Sequence, residues 1–216
     1  MMKFKACIFD LDGVIVDTAV YHYEAWKRLA NQLSFDFTEE DNEKLKGISR
    51  KESLELILGW GGLVKTESQK EELATLKNSW YVEMISKMTP QDTLPGTTKL
   101  LTNLKTAGYK IALGSASKNA GIILEKTHLM SFFDAIVDGN VVTASKPDPQ
   151  VFLKGAEMLG VPPSACVVFE DALAGVQAAK AAGMKVIGIG TVETLMEADL
   201  VIAGLHEMDI AKLDLL

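Results

Sequence analysis

The chain has 216 residues, of which 48% are hydrophobic and 24% are charged, and its formal net charge is −7. Disordered chains combine low hydrophobicity with high charge, so this composition excludes them and indicates a globular protein of one or two domains. The apolar runs fall far short of the ~20 residues of a membrane-spanning helix, and the acidic balance does not suit a protein that coats nucleic acid. We therefore expect neither a membrane nor a nucleic acid as a partner.

Short apolar runs rich in β-branched residues are typical of strands that helices cover on both faces. They occur at residues 5–9, 110–113, 133–137, 166–169, 186–189 and 200–202. Between them lie stretches with apolar residues at helical spacing, several of which end at a glycine, as at Gly108, Gly160 and Gly183. This alternation predicts an α/β fold, a Rossmann-like parallel sheet core with helices on both faces.

The first connection is an exception, because nothing from Asp17 to about Thr93 has the pattern of a strand. An insertion of this length far exceeds an ordinary loop of ~2–6 residues between a strand and a helix. Its apolar residues repeat at helical spacing in three groups: Trp26, Leu29, Ala30 and Leu33; Leu54, Ile57 and Leu58; and Leu73, Leu76, Trp80 and Met84. We predict a core of residues 1–15 and 94–216, with residues 16–93 inserted as a helical cap domain.

The cysteines, Cys7 and Cys166, each lie within a predicted strand. Two distant cysteines without a histidine cluster form neither a disulfide framework nor a zinc site. Small buried apolar residues in a reducing compartment are the simpler explanation. The run from Ala6 to Phe9 is too short for the hydrophobic region of a signal peptide, and we expect a cytoplasmic location.

Polar side chains follow four of the predicted strands, at the point where each strand ends. The first strand is followed by Asp10 and Asp12, the second by the run 115–119, the third by Lys146 and the fourth by the pair 170–171. In an open parallel sheet the carboxyl ends of the strands meet at one edge, where ligands bind. We therefore expect these groups to form one site.

Acids without neighbouring histidines or thiols favour a hard cation that prefers oxygen ligands, and we expect one Mg²⁺ per chain. The predicted metal ligands are Asp10, Asp12, Glu170 and Asp171. Mg²⁺ commonly binds through one or two carboxylates together with a substrate phosphate. Lys146 and the Ser115 hydroxyl would then contact phosphoryl oxygens, and the backbone amides of residues 116–119, which open a helix, would form a further anion site.

Asp10 and Asp12 can divide the chemistry of phosphoryl transfer between them. A carboxylate beside a metal ion and a lysine is a competent nucleophile at phosphorus, and its attack forms an aspartyl-phosphate. The second carboxyl group, pushed toward its protonated form by the neighbouring negative charge, can give a proton to the leaving oxygen. We predict Asp10 as the nucleophile and Asp12 as the general acid and base, with Ser115 and Lys146 completing the catalytic set.

The order of these residues resembles the motifs of the haloacid dehalogenase superfamily. The run 10–14 (Asp-Leu-Asp-Gly-Val), Ser115, Lys146 and the pair 170–171 are similar to its four ordered motifs, and the match spans the whole chain. Asp12 favours the phosphotransferases of the superfamily, because the dehalogenases lack this acid–base aspartate. The helical insertion after the first motif resembles the subclass whose cap has four helices.

Residues 45–54 and the run 115–119 resemble the sugar-phosphate mutases of this superfamily. The resemblance implies interconversion of β-glucose 1-phosphate and glucose 6-phosphate through β-glucose 1,6-bisphosphate, with Arg50, Ser117 and Asn119 holding the phosphate that is not transferred. The other residues expected to contact the substrate are Thr18, His22, Trp26, Lys46, Gly47, Ser53, Lys77, Ala116 and Lys118. Packing within the cap is the competing explanation for His22 and Trp26.

Two other functions are open at this point. A sugar-phosphate phosphatase of the same superfamily would pass the aspartyl-phosphate to water and would not need the second phosphate site that Arg50 and residues 117–119 supply. A receiver-like phospho-acceptor would use a similar aspartate, lysine and metal acids but needs an open face for its partner. We favour the mutase, acting as a monomer on small-molecule sugar phosphates.

Overall fold

The computed structural model describes residues 3–216, so the first two residues of the predicted core range lie outside it. Its strands are β1 (Ala6–Phe9), β2 (Lys110–Gly114), β3 (Ala135–Val137), β4 (Cys166–Glu170), β5 (Lys185–Ile189) and β6 (Leu200–Ile202). They form one sheet in the order β3-β2-β1-β4-β5-β6, and every pairing is parallel. This confirms the predicted α/β fold, and each strand lies within one or two residues of its predicted bounds.

Helices fill the connections between the strands. Between β1 and β2 lie α1 (Ala19–Gln32), α2 (Glu39–Glu43), α3 (Arg50–Trp60), α4 (Glu67–Ile85) and α5 (Thr97–Thr106). The later helices are α6 (Ala120–Lys126), α7 (Gln150–Leu159) and α8 (Leu173–Ala181), and short 3-10 helices lie at Pro90–Asp92, Met130–Phe132, Pro163–Ala165, Leu205–Glu207 and Ile210–Leu215. None of the helices in the described part of the chain combines the length and apolar character of a membrane span.

The central strand β1 shows why the sheet is covered on both faces. Successive side chains of a strand point to opposite faces, so Cys7 and Phe9 join the apolar cluster that contains α5 and α6. Ala6 and Ile8 join the cluster that contains α7 and α8. Cys7 and Cys166 are both buried free thiols, as the sequence predicted.

The insertion between β1 and β2 contains the four helices α1–α4 ahead of α5, and its own apolar cluster joins α1 and α3 through Trp26, Leu29, Leu54 and Ile57. Its two connections to the rest of the chain lie side by side, since Val16 forms an isolated antiparallel bridge with Thr93. The insertion therefore contains four α-helices, the number that the resemblance implied. The division into a core and a cap domain at residues 15/16 and 93/94 stays a prediction.

Helix α4 buries a face that overlaps only in part with the one the hydrophobic pattern indicated. Of the predicted stripe, Leu76 is 38% exposed, and Leu73, Trp80 and Met84 are only partly buried. The buried residues are instead Lys77, Tyr81 and Ile85. The predicted stripe is therefore confirmed in part: Leu73, Trp80 and Met84 pack against the apolar clusters, but the most deeply buried positions include polar side chains, which the hydrophobic pattern did not indicate.

Candidate active site

The site begins where β1 and β4 lie side by side. Strands β2 and β3 lie on the β1 side of this pair, and β5 and β6 lie on the β4 side, so the strand order reverses between β1 and β4. Parallel sheets bind ligands in the crevice at such a point. Asp10 directly follows β1, its backbone amide donating to the Phe169 carbonyl oxygen at 2.9 Å, and Glu170 is the last residue of β4. Parallel pairing therefore places these acids at one edge of the sheet, as the sequence predicted.

Three carboxylates meet at this edge. Asp10, Glu170 and Asp171 each offer an oxygen, and these oxygens lie within 4.8 Å of one another. The Lys146 ammonium group, which is almost fully buried, donates to Asp10 and, at 2.7 Å, to Glu170. Burial alone would lower the pKa of Lys146, but the carboxylates of Asp10 and Glu170 outweigh burial and raise it above its usual value.

The protein alone offsets only part of the negative charge of this acid cluster. Burial and the Asp10 carboxylate raise the pKa of Glu170 to about 7, although Lys146 opposes the shift. Burial, Glu170 and Asp10 together raise the pKa of Asp171 well above its usual value. A bound divalent cation would offset this repulsion, because it favours the ionised forms of Glu170 and Asp171.

Two glycines leave the space that these acids occupy. A Cβ atom on Gly175 would lie 2.0 Å from the carboxyl carbon of Glu170, and one on Gly13 would lie 2.2 Å from a carboxylate oxygen of Asp171. The backbone amide of Ala172 also donates to Glu170 at 3.1 Å. A cluster of carboxylate oxygens held in this way fits Mg²⁺, which prefers hard oxygen ligands.

The side chain of Asp12 lies apart from this cluster, in contact with the start of the insertion. Its carboxylate accepts a hydrogen bond from the Thr18 hydroxyl, and it does not belong to the group of three acids above. Burial and the Asp10 carboxylate raise the pKa of Asp12 to about 6, while Thr18 opposes the shift. Such a pKa suits a proton-transfer group near neutral pH; the metal role predicted for Asp12 stays a prediction.

The segment after β2 folds back on itself before α6. The Ser115 hydroxyl oxygen accepts from the Ser117 amide at 3.0 Å, and the Ser117 hydroxyl oxygen accepts from the Asn119 amide at 3.2 Å. The Gly139 amide donates to the Ser117 carbonyl oxygen at 3.2 Å, which fixes this segment from the other side. The Ser115 hydroxyl proton remains available for an acceptor such as a phosphoryl oxygen.

One cavity of about 570 Å³ joins the strand ends to the inserted helices. Most of the predicted site residues line it, namely Asp10, Asp12, His22, Trp26, Lys46, Gly47, Arg50, Ser53, Lys77, Ala116, Ser117, Lys118, Asn119, Lys146 and Asp171. The exceptions are Thr18, Ser115 and Glu170, which are buried side chains outside the cavity wall. The fold thus brings together residues that lie far apart in the sequence.

The wall formed by α1 and α4 carries a buried cation. Lys77 is 1% exposed, and its ammonium nitrogen lies 3.1 Å from His22 Nδ1 and 4.4 Å from the centre of the Trp26 ring. Burial, reinforced by Arg50, lowers the pKa of Lys77 well below its usual value. Burial and Lys77 do the same to His22, which is therefore neutral. Trp26 both packs in the cluster of the insertion and lines the cavity.

Two more cations reach the cavity from the segment before α3 and from its first turn. The Lys46 ammonium nitrogen lies 2.8 Å from Glu43 and 3.7 Å from Asp171, so it links the insertion to the acids at the sheet edge. Burial lowers the pKa of the Arg50 guanidinium, and no carboxylate of residues 3–216 opposes this shift. Arg50 thus remains available for an anionic ligand.

The sequence analysis missed two residues at this site. Asn78 accepts a hydrogen bond from the Asn119 side chain at 2.9 Å, which connects α4 to the start of α6. Tyr81 lines the cavity, and its ring centre lies 4.2 Å from that of His22. Both lie close to Lys77 on α4, at the next position and one turn later, so helical spacing from Lys77 could have identified Tyr81.

Comparison with known proteins defines the family. The model of the haloacid dehalogenase-like hydrolase family matches residues 7–189, from β1 to the end of β5. This range includes the acid cluster, Lys146 and the whole insertion. The chain belongs to the haloacid dehalogenase-like hydrolase family.

Individual relatives show which members of this family the chain resembles. A β-phosphoglucomutase of Bacillus subtilis (strain 168) is 50% identical over 200 residues, which cover 92% of this chain and 88% of that protein. A phosphorylated carbohydrates phosphatase of Thermotoga maritima is 32% identical over 196 residues, which cover 88% of this chain and 87% of that protein. The crystal structure of a β-phosphoglucomutase from Clostridium difficile superposes with a TM-score of 0.95 at 42% identity and covers 98% of this chain and 96% of that chain.

Proposed function

We propose that this protein is a β-phosphoglucomutase, which interconverts β-glucose 1-phosphate and glucose 6-phosphate through β-glucose 1,6-bisphosphate. The observation that carries the proposal is that one cavity is lined by two sets of phosphate-binding groups. Asp10 and Lys146 lie at the sheet edge, while Arg50, Lys118 and Asn119 line the same cavity from α3 and the loop after β2. A bisphosphate needs both sets, and the similarity to the Bacillus enzyme supports the same conclusion.

Asp10 and Asp12 would share the transfer step. An Asp10 carboxylate oxygen forms a bond to phosphorus, the bond from phosphorus to the sugar oxygen breaks, and the leaving oxygen takes a proton from Asp12. In the reverse direction Asp12 removes the proton from a sugar hydroxyl, which then attacks the aspartyl-phosphate. The pKa of about 6 allows Asp12 to hold and release this proton near neutral pH.

Mg²⁺ would be held by Asp10, Glu170 and Asp171, whose oxygens lie within 4.8 Å of one another. When bound, it would neutralise charge on the transferring phosphoryl group. Lys146 contributes further positive charge next to Asp10, since it forms ion pairs with Asp10 and Glu170. We expect the Ser115 hydroxyl to donate to a phosphoryl oxygen, since its own oxygen already accepts from Ser117.

The cap side of the cavity would exclude water and hold the distal phosphate. Arg50 has a planar guanidinium group suited to two parallel hydrogen bonds with a phosphate, and Lys118 and Asn119 line the same cavity from the loop before α6. His22 and Lys77 would contact the sugar between the two phosphate sites. We further propose that residues 16–93 act as the cap domain over a core of 1–15 and 94–216, in a cytoplasmic monomer.

A direct assay tests the proposal. The protein is incubated with β-glucose 1-phosphate, Mg²⁺ and a trace of β-glucose 1,6-bisphosphate, and glucose 6-phosphate and free phosphate are measured in parallel. We expect glucose 6-phosphate to form much faster than free phosphate, and the Asp10→Asn variant to form neither, since an amide cannot attack phosphorus. Release of phosphate without glucose 6-phosphate would contradict the mutase.

The second candidate is a sugar-phosphate phosphatase. The similarity to the Thermotoga phosphatase favours it, because that relative also spans most of both chains. The two functions share the attack by Asp10 and differ in what accepts the phosphoryl group, a sugar hydroxyl or water. The ratio of the two products in the assay therefore decides between them.

A further inference from the structure

One side chain outside the cavity holds the loop that leads to Lys146. Gln150, the first residue of α7, accepts hydrogen bonds at Oε1 from the backbone amides of Thr143 at 2.8 Å and Ala144 at 2.9 Å. Its Nε2 atom donates to the Thr143 hydroxyl oxygen at 3.2 Å. Because backbone amides only donate, the side-chain oxygen has to face them, and this determines the orientation of the Gln150 amide group.

The chain on the other side of Lys146 is also held by hydrogen bonds. The Asp148 amide donates to the Ser145 carbonyl oxygen at 2.9 Å, and the Gln150 amide donates to the Asp148 carboxylate at 2.9 Å. Two residues further along α7, the centre of the Phe152 ring lies 4.9 Å from the Lys146 ammonium nitrogen. Helix α7 therefore contacts the backbone before Lys146 through Gln150 and the ammonium group through Phe152.

The position of this loop matters because the ammonium group of Lys146 has to meet two carboxylates at once. Lys146 is 2% exposed and forms ion pairs with Asp10 and with Glu170. A buried charge that loses its partners is costly, so a shift of the loop would disturb both pairs. Residues 142–146 line the cavity and Gln150 does not, so Gln150 acts on the site through the loop without touching the substrate.

We propose that Gln150 is a positioning residue for Lys146. By accepting from two successive amides, it fixes the backbone just before Lys146 and so places the ammonium group beside Asp10 and Glu170. Displacement of a catalytic group by about 1 Å can cost about a hundredfold in rate. The inference rests on the proposed function only for the role of Lys146 in phosphoryl transfer to Asp10, a step that the mutase and the phosphatase share.

The Gln150→Met variant removes the amide group and keeps an unbranched side chain of similar helix propensity. We expect kcat to fall by about tenfold to a hundredfold for isomerisation of β-glucose 1-phosphate and equally for phosphorylation of Asp10 by acetyl phosphate, because Lys146 serves the attack on either donor. Gln150→Glu keeps an acceptor oxygen in the first turn of the helix and should stay within about twofold of the wild-type rate.

Gln177→Met is the matched control, because Gln177 is a half-buried helical glutamine that bonds Glu197 at 3.1 Å and does not line the cavity. It should keep the wild-type kcat, and all rates are measured below the unfolding temperature of each variant. Acetylation by acetic anhydride in the presence of Mg²⁺, followed by mass spectrometry, reports the position of Lys146 without relying on turnover. We expect Lys146 to react several-fold faster in Gln150→Met alone, while Lys77, a second buried lysine that lines the cavity, keeps its wild-type rate in every variant.

The inference is overturned if Gln150→Met keeps the wild-type kcat, raises only KM, spares acetyl phosphate, or leaves the acetylation of Lys146 unchanged. An equal loss in Gln150→Glu and Gln150→Met also overturns it, since the acceptor oxygen would then be irrelevant. Wild-type isomerisation together with an unaffected Gln150→Met variant overturns the inference alone. If the wild-type protein converts neither β-glucose 1-phosphate nor acetyl phosphate, the proposed function is wrong, and the acetylation of Lys146 still decides the inference.

Discussion

At the scale of single residues, Asp10 and Asp12 are close in the sequence but their side chains have different partners. Asp10 is bound by Lys146 and belongs to the acid cluster, whereas the Asp12 side chain turns toward Thr18 and has a pKa of about 6. Two neighbouring carboxyl groups thus receive different partners. We propose that Asp10 attacks phosphorus and that Asp12 carries the proton.

The first prediction concerns Asp12. Replacing Asp12 by Ala should slow transfer from β-glucose 1-phosphate by about 10²–10⁴, because the sugar oxygen then leaves without a proton. Acetyl phosphate has a better leaving group, so its rate of Asp10 phosphorylation should fall by less than about tenfold. Rapid-quench measurement of the aspartyl-phosphate with both donors checks this. Equal losses would show that Asp12 acts through the metal or the local structure.

The second prediction concerns the space beside Glu170. A methyl group on Gly175 would overlap the Glu170 carboxyl group, whereas one on Gly121, also within a helix, would meet nothing within 4 Å. Gly175→Ala should therefore weaken Mg²⁺ binding at least about tenfold, since one of its carboxylates is displaced. Gly121→Ala should stabilise the protein by about 0.5–1 kcal/mol through helix propensity.

Titration calorimetry with Mg²⁺ and thermal unfolding of both glycine variants provide the measurement. Unchanged Mg²⁺ affinity in Gly175→Ala would mean that Glu170 is not a ligand. Gly121→Ala serves as the control for any general effect of adding a methyl group to a helix.

At the scale of elements, the strands were predictable because β1 and β4 are buried on both faces and form uninterrupted apolar runs. The acids at their ends followed from parallel topology, since Asp10 and Glu170 come directly at the ends of adjacent strands. Helix α4 was not predictable in the same way. Lys77 and Tyr81 are buried and line the cavity, and hydrophobic periodicity cannot reveal polar side chains that face inward.

Contacts between the insertion and the sheet edge could not be predicted from the sequence either. Asn78 and Asn119 meet although they are 41 residues apart, and no local pattern pairs one asparagine with another. Lys46 approaches Asp171 across a still longer separation. Local spacing identifies the groups on one element, but pairing between elements depends on how the insertion packs over the sheet.

The third prediction concerns the connection of α8, β5 and β6. Asp199 accepts from Lys180 at 2.7 Å, from Lys185 at 2.6 Å and from the Val186 amide at 2.9 Å. Burial alone would raise its pKa, but these hydrogen bonds outweigh burial and lower the pKa of Asp199 to about 2. Asp199→Ala should therefore lower the free energy of unfolding at pH 7 by about 2 kcal/mol.

The pH dependence of this effect follows from the sign of the shift. The folded-state pKa of Asp199 lies below its ordinary value of about 4, so its contribution is fully present above pH 4 and is lost as the pH falls toward 2. Urea unfolding of both proteins at pH 7 and pH 3 should show a smaller difference at pH 3. A difference that does not change with pH would contradict the ionic role of Asp199. Glu193→Ala, an exposed acid nearby, is the control.

At the scale of the whole molecule, the cavity depends on both parts of the chain. The sheet edge supplies Asp10 and Lys146, and the insertion supplies Arg50 and Lys77. The second phosphate-binding set is itself shared, because Arg50 comes from the insertion while Lys118 and Asn119 come from the loop after β2. A mutase needs this shared cavity, because the bisphosphate must present each of its phosphates to Asp10 in turn without reaching solvent.

The last prediction uses Arg50 to separate transfer from isomerisation. Arg50 begins α3, and no carboxylate among residues 3–216 offsets its burial, so we expect its guanidinium group to bind the distal phosphate with two parallel hydrogen bonds. Arg50→Ala should lower isomerisation of β-glucose 1-phosphate by at least about a hundredfold, because a charge-assisted bidentate contact is worth a few kcal/mol. Arg50→Lys should restore little of this activity, since a point charge cannot reproduce the planar fork.

Phosphorylation of Asp10 by acetyl phosphate should stay near the wild-type rate in the Arg50 variants, because this donor carries no distal phosphate. Lys87 is an exposed lysine of the insertion that does not line the cavity and lies 3.2 Å from Glu83, so Lys87→Ala should change isomerisation by less than about twofold. Rates of glucose 6-phosphate formation and of Asp10 phosphorylation are measured on each variant. If both rates fell together in Arg50→Ala, Arg50 would be acting on the fold or the transfer site, and the phosphatase would become the better explanation of this cavity.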